Sequence, residues 1–176
     1  MYKTQSQVEQ KMQKQYREMV NTRRLYKFEG DFFYLPAYKY LSVQINLSTL
    51  RNIAKLIWYK ESDGRYLIPE IRFGKGLYHG TERGKKYYYS WCDRTTIELA
   101  PTQRDIMTLI HEMVHALGYD YHDSRFVGKY VELLHKYGGI PKKPLIMGMK
   151  EYKVALPLKY KRLYNNSCYQ KAKKKK

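Results

Sequence analysis

Between Ile106 and Leu117 the chain reads IMTLIHEMVHAL, and this segment restricts the fold more than any other. Ile106, Leu109, Ile110, Met113, Val114 and Leu117 recur at the three-and-four spacing of a broad helical face, as in a helix that is largely buried. His111, Glu112 and His115 interrupt that apolar surface. Imidazoles and a carboxylate cannot be taken out of water there without partners, so the segment needs a polar reason to exist. His111, His115 and the nearby His122 are three of the five histidines in 176 residues. Four residues apart on a helix, His111 and His115 stand one turn above the other and can reach a single ion. Thr102 with Asp105 reads as a capping box that opens the helix near residue 103, and Gly118 as its stop.

The pattern is H-E-x-x-H, and each position has a chemical reason. Neutral imidazole nitrogens suit Zn²⁺, and a catalytic site takes three protein ligands while keeping a position open for water. A carboxylate beside the ion but outside the ligand set can take a proton from that water and deliver it to the departing amine, which is the role expected of Glu112. His122 is the favoured third ligand, because Gly118 lets the chain turn and bring a residue four positions later back over the ion; Asp120, Asp123, Glu132 and His135 are the rivals. Tyr119 and Tyr121 are the candidate donors to a tetrahedral oxyanion.

Elsewhere the pattern is that of a small α+β domain. Val8, Met12, Tyr16, Met19 and Val20 predict an amphipathic helix from Gln5 to about Arg24, lying on the core. Val43, Ile45 and Leu47 alternate like a strand, and Ser48 reads as the N-cap of a helix with Leu50, Ile53, Ala54, Ile57 and Trp58 on one face, ended by Ser62-Asp63-Gly64. Extended runs are expected at Tyr66–Phe73, Lys86–Trp91 and Thr95–Leu99, forming one sheet, with a glycine-bearing loop after the first and a tight turn at Asp93-Arg94. SRFVGKYVELLHKY, residues 124 to 137, reads as a further helix whose inward face is Phe126, Tyr130, Val131, Leu134 and Tyr137.

Composition narrows the class. No apolar run approaches the roughly 18 residues of a membrane span, and MYKTQSQVEQ does not read as a secretory signal, so cytoplasmic residence without membrane contact is the expectation. The two cysteines, Cys92 and Cys168, have no C-x-x-C partner, which argues against a disulfide scaffold or a zinc ribbon. The net charge of +18 is unevenly placed: from Lys142 onward twelve basic residues face Glu151 alone, leaving +11 on the last 35 residues. Lys142, Lys143, Lys159, Lys161, Arg162 and Lys173, Lys174, Lys175 and Lys176 are therefore the candidate contacts to DNA or another polyanion, through charge rather than sequence reading.

The stretch TIELAPTQRDIMTLIHEMVHALGYDYHDSRF resembles the SprT-like (Spartan-type) zinc metallopeptidases: a strand, a proline-bearing turn, a long helix carrying HEMVH, then a histidine followed after three residues by phenylalanine. His122-Asp123-Ser124-Arg125-Phe126 stands where that family shows H-G-x-x-F, with Asp123 in place of the glycine. Six residues separate His115 from His122, a spacing nearer that of the metzincins, and the chain has no cysteine-rich zinc ribbon. The resemblance covers about residues 48 to 137 and implies a zincin-like small mixed sheet packed on helices, with the active-site helix beneath an edge strand and substrate added as a strand.

These readings combine into one expectation. Segment 1–30 is an N-terminal helix, 31–140 the metallopeptidase core and 141–176 a basic tail. The core binds one Zn²⁺ through His111, His115 and His122, and uses Glu112 to hydrolyse peptide bonds in a protein or peptide substrate; the resemblance extends that substrate class to DNA-associated proteins. Two other classes compete. One is a structural or assembly protein, a virion or phage component reusing the fold with a vestigial or structural metal site. The other is a nucleic-acid-binding module working through Tyr87, Tyr88, Tyr89 and the tail.

Overall fold

A computed structural model of the chain describes residues 5–64, 67–82 and 85–163. They form an α+β structure of six helices and two small sheets. Helix α3 (Ile106–Ala116) lies at its centre, because Thr108 to Val114 and Ala116 are all buried. Around it pack α2 (Leu47–Glu61), α4 (Ser124–Tyr137) and a three-stranded sheet in the order β1 (Glu70–Phe73), β5 (Thr96–Leu99), β4 (Trp91–Cys92). β1 runs parallel to β5, pairing Ile71 with Ile97 and Phe73 with Leu99, and β4 is the antiparallel edge strand beside α3. The β4–β5 turn is held by Asp93, whose Oδ1 accepts from the amides of Thr95 (3.1 Å) and Thr96 (2.8 Å), with Arg94 at φ 76°.

The extended runs do not form one sheet. β2 (Leu77–Glu82) arises inside the glycine-bearing stretch expected to be a loop, and pairs antiparallel with β3 (Lys85–Tyr89) as a separate hairpin. Gly76, at φ 76°, makes this possible: a Cβ there would meet the Tyr89 carbonyl oxygen at 2.4 Å. In the Tyr66–Phe73 run only Glu70 onward is strand, and Tyr66 lies outside the described residues. No strand forms over Val43–Leu47. Residues Lys39–Ser42 make a 3-10 turn, and Asn46 caps α2 by accepting from the Thr49 amide at 2.9 Å, so Leu47 is already helical and Ser48 is not the cap. A period-two pattern carried by three residues had no neighbouring strand to pair with. Likewise α3 opens at Ile106, not near 103: Asp105 is its N-cap, with Oδ1 2.8 Å from the Thr108 amide, while Pro101-Thr102 sit in a turn.

The two ends of the chain differ most from expectation. α1 (Gln5–Phe32) runs past Arg24, because Leu25, Phe28 and Phe32 bury its second half against the core. Its earlier stripe does not lie on the core: Val8, Met12, Tyr16 and Met19 are exposed, as are all of residues 6–17. The basic segment from 141 is not an appended tail as far as it is described. α5 (Lys142–Glu151) turns Leu145, Ile146 and Met149 inward, and Val154, Leu156 and Tyr160 join the same cluster as Phe28 and Phe126. Lys142 and Lys143 are exposed because only one face of so short a helix is needed for burial, and Lys150 is half-buried. A last helix, α6 (Leu158–Leu163), follows. Lys142, Lys143 and Lys161 are exposed, and Lys159 is also exposed but pairs with Glu132 at 2.7 Å. The side chain of Arg162 and all of Lys173 to Lys176 lie outside the described residues. Among the described residues no helix is long and apolar enough to cross a membrane.

Candidate metal centre

α3 presents His111 and His115 on one side, with ring centroids 5.2 Å apart. In the turn just past α3 stands Gly118, whose φ of 97° reverses the chain while its amide bonds the His115 carbonyl oxygen at 2.8 Å. The following loop carries His122 back over the helix. Asp123 then starts α4 by accepting from the amides of Arg125 (2.8 Å) and Phe126 (3.1 Å). His122 Nε2 comes to rest 3.0 Å from His111 Nε2 and 3.2 Å from His115 Nε2. Two nitrogens on a tetrahedral zinc ion are separated by about 3.4 Å for bonds of about 2.05 Å, so the three histidines lie close enough to hold one metal ion.

The other ring nitrogens decide whether the lone pairs are free. His115 Nδ1 is 2.8 Å from the Tyr119 carbonyl oxygen, which can only accept, so that nitrogen carries the proton. His111 Nδ1 lies 2.8 Å from Glu29 Oε1, a carboxylate that also accepts. Thr22 Oγ1 donates its single hydrogen to the Glu18 carbonyl oxygen (3.0 Å) and accepts from His122 Nδ1 at 3.2 Å. In their neutral form all three rings are thereby set in the tautomer that leaves Nε2 bare and aimed at a common point. Three converging lone pairs repel unless a proton or a cation lies among them, and this donor set fits a borderline ion such as zinc.

The proton affinities of His115 and His122 agree with that arrangement, while that of His111 runs the other way. Burial, aided by the charge of His111, pushes His115 down to about 4, and burial with both neighbouring rings pushes His122 lower still. Burial works against protonation of His111 as well, but the Glu29 carboxylate outweighs it and the net direction is upward. Phe126 forms the floor, with its ring centroid 5.0 Å from His111 and 4.7 Å from each of His115 and His122. Above, Tyr26 packs 5.7 Å from His111 and 5.4 Å from His122.

The rivals for the third position are engaged elsewhere. Asp123 caps α4, Asp120 pairs with Arg94 at 2.7 Å, Glu132 with Lys159, and the exposed His135 gives Nδ1 to the Ile140 carbonyl oxygen at 2.8 Å. Cys92, close by, stays a thiol, since burial pushes it up to about 12.

Glu112 takes no part in the triad. It is only 7% exposed and sits where two cavities meet. One, of about 420 Å³, is walled by Glu29, Phe33, Tyr89 and Gln103; the other, of about 370 Å³, by Trp91, Cys92, Arg94 and Asp120. Tyr26, Ser90 and Glu112 line both. Burial and the nearby Glu29 raise the Glu112 carboxyl to about 7, against the charge of His111. The Tyr26 phenol is raised above its ordinary range by burial and by Glu29 and Glu112, so it remains a hydrogen-bond donor. Neither Tyr119 nor Tyr121 lines these cavities. Tyr119 contributes its backbone carbonyl, and Tyr121 projects into a separate groove, with Lys14 Nζ 5.7 Å from its ring centroid.

Sequence reasoning passed over the contribution of α1. Asn21 donates through Nδ2 to the His122 carbonyl oxygen, and Thr22, Tyr26 and Glu29 complete the surroundings of the histidines. The signal was a glutamate set between Phe28 and Phe32, but helical periodicity does not say what faces it.

Fold and site together define a small α+β protein with a buried three-histidine cluster able to bind a metal ion. Comparison with protein-family models, with curated proteins and with solved structures finds no match for this chain.

Proposed function

We propose that the chain is a zinc-dependent metallopeptidase of the zincin type, akin to the SprT-like family, cleaving peptide bonds in protein substrates. One observation carries the reading: three Nε2 lone pairs converge while a buried carboxylate, Glu112, stands beside them without ligating. His111, His115 and His122 would hold the ion. Zinc held there would supply Lewis acidity to the scissile carbonyl and to the attacking water. Glu112 would accept a proton from the attacking water on its carboxylate and return it to the amine nitrogen that leaves. Tyr26, bordering both cavities, replaces Tyr119 and Tyr121 as the hydroxyl that donates to the oxyanion. An extended peptide fits along edge strand β4, with its flanking side chains in the cavities on either side of Glu112.

The decisive experiment is metal analysis and peptidase assay of the wild type and Glu112→Gln. Zinc near one equivalent in both, with cleavage only by the wild type, supports the reading. Cleavage by neither, with zinc retained, points to a structural metal site. Association with DNA remains part of the proposal through charge alone, carried by Lys142, Lys143 and Lys161.

A further inference from the structure

Two of the three histidines are oriented by a helix that contains no ligand. Glu29 fixes His111 through Nδ1, Thr22 fixes His122 through Nδ1, and Asn21 binds the backbone of His122. These residues share one face of α1 with the buried Leu25 and Phe28. The same Asn21 accepts through Oδ1 from the Ala155 amide at 2.6 Å, so the histidine loop, α1 and the chain after α5 meet at one side chain. Residues 6–17 are exposed, and the part of α1 buried against the core lies from about Glu18 onward. Its hold on the core and its hold on the histidines therefore occupy the same four turns.

We propose that the second half of α1 is part of the metal centre: Glu29 and Thr22 are positioning residues for His111 and His122, so that filling the site with zinc and docking α1 are one linked event. The inference rests on the metal-centre reading above. Its physical basis is that a carboxylate or hydroxyl on Nδ1 fixes the tautomer and raises the basicity of Nε2, while the ion relieves the repulsion that three bare lone pairs otherwise exert on the residues carrying them.

The test uses the full chain and Zn²⁺ alone. Affinity is measured by competition with a chromophoric chelator for wild type, Glu29→Gln, Thr22→Val, Thr22→Ser and, as control, the exposed Lys27→Ala. Glu29→Gln is expected to weaken zinc binding about 10- to 100-fold, and Thr22→Val also to weaken it. Thr22→Ser, which keeps the hydroxyl, restores wild-type affinity, and Lys27→Ala leaves it unchanged. Amide exchange across residues 18–30 should slow on adding zinc and quicken on chelation, more than in α2. The visible bands of the cobalt-substituted protein should shift in Glu29→Gln, a change that loss of packing alone does not cause. If the wild type binds no zinc, both this inference and the metal-centre reading fall. If it binds zinc and Glu29→Gln and Thr22→Val bind equally well, or α1 exchange ignores the ion, this inference alone is overturned.

Discussion

Glu29 Oε1 lies 2.8 Å from His111 Nδ1 across 82 residues of sequence, and both groups are buried. The pair places a carboxylate behind a histidine whose other nitrogen points to the cluster, the arrangement that makes an imidazole a stronger ligand. It also ties the N-terminal helix to the central one, alongside the contacts of Asn21 and Thr22 with His122.

Zinc should stabilise the protein. An ion that binds the folded chain alone adds about 4 kcal/mol at a thousand times its dissociation constant. Thermal melts with zinc and with chelator should therefore differ by many degrees in the wild type, and His115→Ala should abolish the difference.

Glu112→Gln should keep the metal and lose the chemistry. General base catalysis contributes about 10²- to 10⁴-fold, so kcat should fall by that order while zinc content stays near one equivalent. An unaltered kcat removes Glu112 from the mechanism.

Tyr26→Phe preserves the ring that covers His111 and His122 but removes the hydroxyl. Loss of one oxyanion donor costs about 10²- to 10³-fold in kcat, with KM little altered. Tyr121→Phe, in a different groove, should leave both constants alone.

A pH-dependent element of stability lies away from the centre. Glu61, at the end of α2, accepts from Lys129 (2.6 Å), Lys136 (2.8 Å) and Tyr137 (2.9 Å) on α4. Burial favours the neutral acid, but these hydrogen bonds outweigh it and lower the carboxyl to about 2 from an ordinary 4.5. The folded value lies below the unfolded one, so the stabilisation is complete above about 4.5 and disappears as pH falls toward about 2. Glu61→Gln should cost about 2 kcal/mol at pH 7, because charged hydrogen bonds are lost and Lys129 is left half-buried, and the gap to wild type should close in acid. Denaturant melts across pH measure it.

The basic C-terminal segment cannot be tested for DNA binding by deleting it. Ile146 is buried in the shared core, and Ile146→Ala alone should cost about 2–5 kcal/mol in a chemical melt. Reversing charge at Lys142, Lys143 and Lys161 leaves the core intact, and should weaken DNA binding and flatten its salt dependence.

What could be read from the amino acids alone was part of what depends on near neighbours in the chain, since the cap of α2 and the start of α3 were still misplaced. The period of α3 and α4, the four-residue spacing of His111 and His115, and the chain reversal at Gly118 are local, and the structure repeats them. His122 was legible for the same reason, since only a short loop separates it from the helix. The partners that set those histidines were not, because Thr22 and Glu29 lie 100 and 82 residues from the rings they orient. The same limit hid the hairpin of β2 and β3, the parallel pairing of β1 with β5, and the burial of Leu145, Ile146 and Met149 within a lysine-rich run. Local pattern reports which residues share a face; what that face meets is settled when the whole chain competes to cover its apolar surface and to satisfy its buried polar groups.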